Sequence, residues 1–255
     1  MKFRSRVWTM AEALINNGQV ASGREAEDRA MAVEWVVAAG VLVAASVVLW
    51  GFSAWMTQRI EAAVPINGRF VEVDGERFHY VEEGQGPPLV MIHGLMGSSR
   101  NLTYALSSQL RDRFRVITID RPGSGYSSRH AGTAADLPAQ ARQIAAFIKT
   151  LDLDKPLVLG HSLGGAIALA LALDHPQAVS GLILVAPLTH PQRMLPLVFV
   201  SLAVRPAWLR RWLSHTLTVP VGLLTRGSVV KGVFAPDAAP PDFATRGGGL
   251  LGMRP

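Results

Sequence analysis

The sequence predicts an α/β fold, a mostly parallel sheet covered by helices on both faces, and three observations predict it. Short apolar strands recur at Pro88–Ile92, 114–119, 157–159 and 182–185, with little of the polar alternation of a half-exposed sheet. Helical stretches at 99–111, 136–151 and 162–175 separate them, the order expected of strand–helix–strand units. Glycine-rich turns close the first three strands at the carboxyl edge, where open α/β sheets gather their ligands.

Ahead of these strands lies an N-terminal polar segment, 1–34, which reads as a short helix with a break at Asn16-Asn17-Gly18. The next 24 residues, 35–58, carry no charge. At about 1.5 Å per residue a helix of that length covers roughly 36 Å, enough for a hydrocarbon core of about 30 Å. Glu34 and Arg59 bound it, and Trp35, Trp50 and Trp55 lie near its ends, where indole rings prefer the interface. A buried core helix is rarely uncharged on every face over this length. A cleaved signal peptide needs a short basic start and a small-x-small exit, whereas here 34 residues come first and the exit reads Ser53-Ala54-Trp55. The expectation is a single transmembrane anchor at 35–58. Lys2, Arg4, Arg6, Arg24 and Arg29 precede it, against Arg59, Arg69 and Arg77 after it, which leans towards a cytoplasmic N-terminus and an extracytoplasmic main domain.

The core, 65–187, begins after a turn at Pro65-Ile66-Asn67-Gly68. Residues 69–73 and 77–82 read as a β-hairpin around Asp74-Gly75, a dipeptide that supplies the positive φ angles of a two-residue turn. The apolar strands and helical stretches follow in alternation. Three landmarks close successive strands: His93-Gly94-Leu95-Met96-Gly97, Asp120-Arg121-Pro122-Gly123-Ser124-Gly125, and Gly160-His161-Ser162-Leu163-Gly164. In the last, a serine between a strand and a helix sits on a sharp turn with its hydroxyl clear of the sheet. Its flanking glycines answer a backbone packed too tightly for Cβ atoms.

Together these motifs make the chain resemble the α/β-hydrolase superfamily, in the branch with an H-G-x-x-G turn, a D-x-P-G-x-G loop and a serine nucleophile. The resemblance covers 70–187. It implies Ser162 as the catalytic nucleophile and the backbone N–H groups of Leu95 and Leu163 as the oxyanion hole, where losing one donor costs about 2.7–4 kcal/mol in the transition state. It makes His93, Gly94, Asp120, Gly160 and Gly164 structural parts of the motifs. His93 is thereby expected to shape the oxyanion turn rather than act as base, and Asp120 to hold its own loop by accepting backbone hydrogen bonds. The side chain of His161 is expected to point away. A phosphate loop at 121–125 lacks the lysine such loops carry. Serine in the nucleophile slot disfavours the dehalogenase and epoxide-hydrolase chemistries of the superfamily, which use aspartate there. Esters, lactones or similar small acyl compounds are the expected substrates, with no cofactor and no metal, since side chains and water supply every reacting group.

The superfamily places an acid and then a histidine after the serine, each following a further strand. Residues 188–255 instead read as a proline-punctuated, apolar and basic helical cap. Asp237 and Asp242 have no strand before them, and neither do His175, His190 or His215. His175 reads as a helix C-terminal residue, favourable against the dipole there. The expectation is a fold truncated within its cap, lacking the acid and base of the triad, with an unpaired sheet edge and an exposed apolar face. The run 195–204 is too short to span a bilayer.

Composition narrows the function classes. Hydrophobic residues make up 49% and charged residues 17%, which suits a membrane element. There is no cysteine, so disulfides, thiolate metal sites and a cysteine nucleophile are excluded. The net charge of +6 comes from 188–255, with 8 basic and 2 acidic residues, while 1–187 holds 17 of each. No basic stripe interleaved with aromatics marks a nucleic-acid partner. Two readings remain. One is a membrane-anchored serine hydrolase whose apolar, basic cap (194–224) reads first as the oily lid of a pocket and otherwise suits a lipid-like or anionic substrate or contact with the bilayer surface. The other is an inactive membrane-bound binding protein on the same fold.

Overall fold

The structure, a computed structural model, describes residues 2–130, 132–190, 204 and 206–254. The chain divides into two compact units, Met1–Phe52 and Ser53–Pro255.

The first unit is a single stretch of helix α1 (Lys2–Ala63), whose final turns belong to the second unit. The break expected at Asn16-Asn17-Gly18 does not occur. Asn and Gly cost a helix interior only about 0.5–1 kcal/mol each relative to Ala, too little to interrupt so long a run. Within this unit Val36, Leu42 and Val48 are 71%, 66% and 69% exposed, apolar surface consistent with lipid contact.

The second unit is built on a six-stranded mixed sheet in the order β1-β2-β4-β3-β5-β6. Strand β1 (Arg69–Val73) turns through Asp74 and Gly75, both at positive φ, into β2 (Glu76–Glu83). The two pair antiparallel, and β2 also lies antiparallel to β4 (Arg115–Ile119), with Tyr80 opposite Ile119. Strands β3 (Pro88–Ile92), β5 (Leu157–His161) and β6 (Gly181–Val185) run parallel to β4. The expected mostly parallel sheet is thus parallel only from β4 to β6. The hairpin extends it on the other side, because a two-residue turn can only join antiparallel neighbours.

Alternation along the strands sorts side chains onto two faces. Val90, Ile92, Ile117, Ile119 and Val158 pack against α4 (Leu137–Thr150) and α5 (Leu163–Asp174) through Ile144, Phe147, Ile167 and Leu171. Leu89, Met91, Val116 and Leu159 pack on the opposite side against Leu102, Leu106 and Leu110. Those three belong to a helical stretch made of α2 (Ser99–Leu102), a π turn (Thr103–Ser107) and α3 (Ser108–Leu110). Asp136 caps α4 by accepting from the N–H of Ala139 at 2.8 Å. Strand β6 forms the sheet edge, and its Ile183, Leu184 and Val185 are 39%, 38% and 41% exposed.

Beyond β6, most of the run 195–204 and the start of the cap lie outside the described residues. Helix α6 (Ala207–Phe234) continues through Pro220 and buries only Thr216 and Val219. By length and composition two helical stretches among the described residues could cross a membrane, Asp28–Ala63 and Ala207–Phe234. The second was not legible as one helix because Pro220, Gly222, Gly227 and Gly232 interrupt its pattern. The segment after it is packed. Leu251 and Met253 are buried with Ile60 and Val64, and Arg254 pairs with Glu61 at 2.5 Å. Asn101 Nδ2 donates to Gly247 O at 2.7 Å, and Tyr104 donates to Asp242 at 2.6 Å.

Candidate active site

Ser162 stands between β5 and α5 at φ +53°, ψ −117°, a conformation L-residues adopt only where the surroundings impose it. The imposing contacts are close. A Cβ on Gly160 would strike the carbonyl of Gly164, and one on Gly164 would strike the carbonyls of Ile92 and His93. The serine N–H donates to Val185 O on β6 at 3.0 Å. Its carbonyl accepts from the N–H groups of Gly165, Ala166 and Leu188 at 3.0, 3.3 and 2.9 Å. A trans peptide points its N–H opposite to its carbonyl, so these three bonds aim the Leu163 N–H away from the helix start. That N–H has no hydrogen-bond partner among the described residues.

The turn after β3 packs directly on the serine: a Cβ on Gly94 would lie 3.1 Å from Ser162 Cβ. It would also lie 3.3 Å from Nδ1 of His161, so that imidazole folds over the same turn instead of pointing away. The residue is exposed overall, and partial desolvation of its ring lowers its pKa. Leu95, the next residue, is 40% exposed, and its N–H is also unpartnered among the described residues.

Behind the turn lies a buried polar network. His93 is fully buried, with Nδ1 2.8 Å from Gly94 O and Nε2 accepting the Arg121 N–H at 3.1 Å. A carbonyl can only accept, so Nδ1 carries the proton and the ring is neutral. Burial, helped by the charge of Arg121, pulls its pKa down to about 3. With both nitrogens engaged it has no lone pair to offer Ser162. Arg121, 5% exposed, donates from Nε to His93 O at 3.1 Å, from one terminal nitrogen to Gly94 O at 3.0 Å, and from the other to Gln140 Oε1 at 2.9 Å.

Asp120 is fully buried and accepts from Ser99 N–H at 2.6 Å, Tyr126 N–H at 2.8 Å and His79 Nδ1 at 2.7 Å. Burial alone would raise its pKa, but the His79 bond and the backbone donors outweigh it and the pKa falls. Gly125 makes room for this, since any Cβ there would strike the carboxylate. The buried His79–Asp120 pair and the Arg121–Gln140 clamp were not found from sequence. A signal for the second existed: Gln140 lies on the core face of α4 beside Ala141 and Ile144, where a polar residue needs a buried partner.

No hydrogen bond joins Ser162 Oγ to a histidine or carboxylate among the described residues. His79 and His93 are engaged as above, and His130 pairs with Glu76 at 3.0 Å. His175 caps α5, His190 bonds Thr189, and His215 lies within α6. No group of three or more metal-ligating side chains occurs among the described residues. A cavity of about 400 Å3 borders the turn at Met96 and Gly97, walled also by Thr57, Glu61, Ser124 and Arg254. Ser162 is not part of its wall.

Residues 87–238, more than half of the chain, match the family model for the alpha/beta hydrolase fold. Haloalkane dehalogenase 2 of Mycobacterium tuberculosis is 37% identical over 123 residues, which are 47% of this chain and 42% of that protein. The dihydrolipoyllysine-residue acetyltransferase component of the acetoin cleaving system of Cupriavidus necator is 40% identical over 121 residues, 47% of this chain and 32% of that one. The chain thus spans less than half the length of these curated relatives. Among solved structures, a membrane phospholipase A described as a bacterial virulence factor is 25% identical, with a TM-score of 0.56 over 88% of this chain and 69% of that one.

Proposed function

The chain belongs to the alpha/beta hydrolase fold family, and we propose that it is a membrane-anchored serine hydrolase acting on an ester, lactone or similar acyl substrate. The observation that carries this reading is the strained Ser162, at φ +53° and packed against the Gly94 turn, with the unpartnered N–H groups of Leu95 and Leu163 on the two adjoining segments. In this reading Ser162 Oγ attacks the acyl carbon and gives up its proton, and the two N–H groups hold the resulting oxyanion. The C–O bond to the leaving alcohol then breaks as that alcohol takes up a proton, and water releases the acid from the acyl-serine.

The likeness to a dehalogenase does not redirect the chemistry. Displacing halide from an alkyl carbon with a serine would leave an ether, which water does not cleave, whereas an acyl-serine is hydrolysable. The exposed apolar stretch of α1 and the likeness to a membrane phospholipase support a lipid-like substrate. We take 35–58 as the anchor, 65–187 as the core and 188–255 as cap-like. The basic residues before the anchor support an extracytoplasmic core.

No histidine or carboxylate among the described residues is hydrogen-bonded to Ser162 Oγ. A nucleophile without its base retains about 10³–10⁴-fold acceleration over water from oxyanion hole and binding. The expected behaviour of these 255 residues is therefore slow, stoichiometric modification of Ser162 by a fluorophosphonate, read as a single mass increment absent in Ser162→Ala. Equal labelling of Ser162→Ala, or none of either protein after prolonged exposure, would overturn the enzyme reading. The second outcome would favour the non-catalytic binding protein.

A further inference from the structure

We propose that Arg121 is the positioning residue of the oxyanion hole, setting the direction of the Leu95 N–H through the carbonyl of Gly94. The inference rests on the reading of Ser162 as a nucleophile. The peptide linking Gly94 to Leu95 is planar and trans, so its carbonyl and its N–H point in opposite directions. Whatever holds the carbonyl therefore aims the N–H. Gly94 O accepts three donors: Arg121 at 3.0 Å, His93 Nδ1 at 2.8 Å and the Gly97 N–H at 3.3 Å. The Arg121 side chain supplies the first, while the backbone N–H of the same residue, bonded to Nε2 of His93 and kept by any substitution but proline, fixes the tautomer that makes Nδ1 the second.

The guanidinium is itself immobilised. A second bond reaches His93 O at 3.1 Å, so the planar fork grips two successive carbonyls of the turn. A third ends on Gln140, whose amide donates to Ala135 O at 2.7 Å. Arg121 touches no reacting atom, because Gly94 stands between it and Ser162. Its positive charge lies behind the peptide, where it polarises the C=O and strengthens the N–H as a donor to a negative oxygen. Lysine cannot reproduce this, having the charge but not the fork.

The test uses the full chain in detergent with Arg121→Gln, Arg121→Lys and Gln140→Leu, read by fluorophosphonate inactivation and by hydrogen exchange over 93–97. Loss of one oxyanion donor typically lowers reactivity about 10²–10³-fold. The expected result for Arg121→Gln is a drop of about 10²-fold in the limiting inactivation rate with KI unchanged, and a smaller drop for Arg121→Lys. The Gly97 amide, protected by Gly94 O, should exchange at least about tenfold faster. A folded Arg121→Gln protein that inactivates within threefold of the parent overturns the proposal. So does a fall in rate explained wholly by KI. Should the parent not react, the nucleophile reading fails, and exchange still decides on the clamp: unchanged protection at Gly97 rejects it. If Arg121→Gln does not fold, Gln140→Leu serves, with a several-fold lower inactivation rate expected and an unchanged one rejecting the proposal.

Discussion

Two peptide groups flank the candidate nucleophile, and they are held by opposite means. The Ser162–Leu163 peptide is fixed by backbone alone, its carbonyl capped by the N–H groups of Gly165, Ala166 and Leu188. The Gly94–Leu95 peptide is fixed mainly by side chains, His93 and Arg121, the latter lying 27 residues further along the chain. The first is a property of how a strand turns into a helix. The second exists only once β4 has paired with β3 and carried Arg121 beneath the neighbouring turn. The two N–H groups proposed as the oxyanion hole therefore differ in what can disturb them, local sterics in one case and buried polar chemistry in the other.

The largest disturbance should come from the glycine shared by both. Gly164→Ala drives a methyl group into the carbonyls of Ile92 and His93, displacing the serine turn and the Gly94 turn together. We expect a stability loss of about 3 kcal/mol, as for overpacking where backbone must move, read as a lowered denaturation midpoint with an unchanged slope.

Acid should separate the two donors. His93 titrates near 3 when folded and about 6.5 when unfolded, so between those values the unfolded chain binds the extra proton and stability falls as pH falls. The loss approaches about 1.4 kcal/mol per pH unit below about 6 and ends near 3. Asp120, whose folded pKa is depressed, adds its own loss below the ordinary carboxylate range. Unfolding followed from pH 7 to 5 should show the histidine slope, and hydrogen exchange should rise at 93–97 before 160–165. Simultaneous loss of protection in both segments would erase the distinction between them.

Smaller effects test the clamp's support. Gln140→Ala leaves one guanidinium N–H without its acceptor, costing about 1–3 kcal/mol in thermal or chemical unfolding. Asp136→Ala removes the cap of the helix that carries Gln140, at about 1 kcal/mol. If the backbone-held peptide is independent, neither change should alter exchange at Gly165 or Ala166.

The same contrast explains what could be read in advance. The strands at Pro88–Ile92 and 157–159 announced themselves because a strand buried on both faces must be apolar along its length. The serine turn did so because glycines at 160 and 164 and the serine between them are adjacent in sequence. The hairpin followed from Asp74-Gly75, but its pairing with β4 did not, since nothing local specifies which edge an antiparallel strand joins. That pairing brings His79 to Asp120, so the buried pair was invisible too. Arg121 read as a loop residue for the same reason, its partners being supplied by a strand and a helix elsewhere. Long helices hid behind local breakers: Asn16-Asn17-Gly18 in α1 and Pro220 in α6 weaken a helix without ending it.

Asp120 carries one more consequence. Its two oxygens join three separate stretches of chain: β2 through His79, the start of α2 through Ser99, and its own loop through Tyr126. Ser162 Oγ, by contrast, bonds to none of the described residues. Replacing the aspartate unties three segments at once, while replacing the serine unties nothing. Inherited change in a lineage of such chains therefore meets unequal resistance. The shape is guarded by residues outside the proposed chemistry, while the hydroxyl of the candidate nucleophile is free to be lost, and a descendant can keep the scaffold without it.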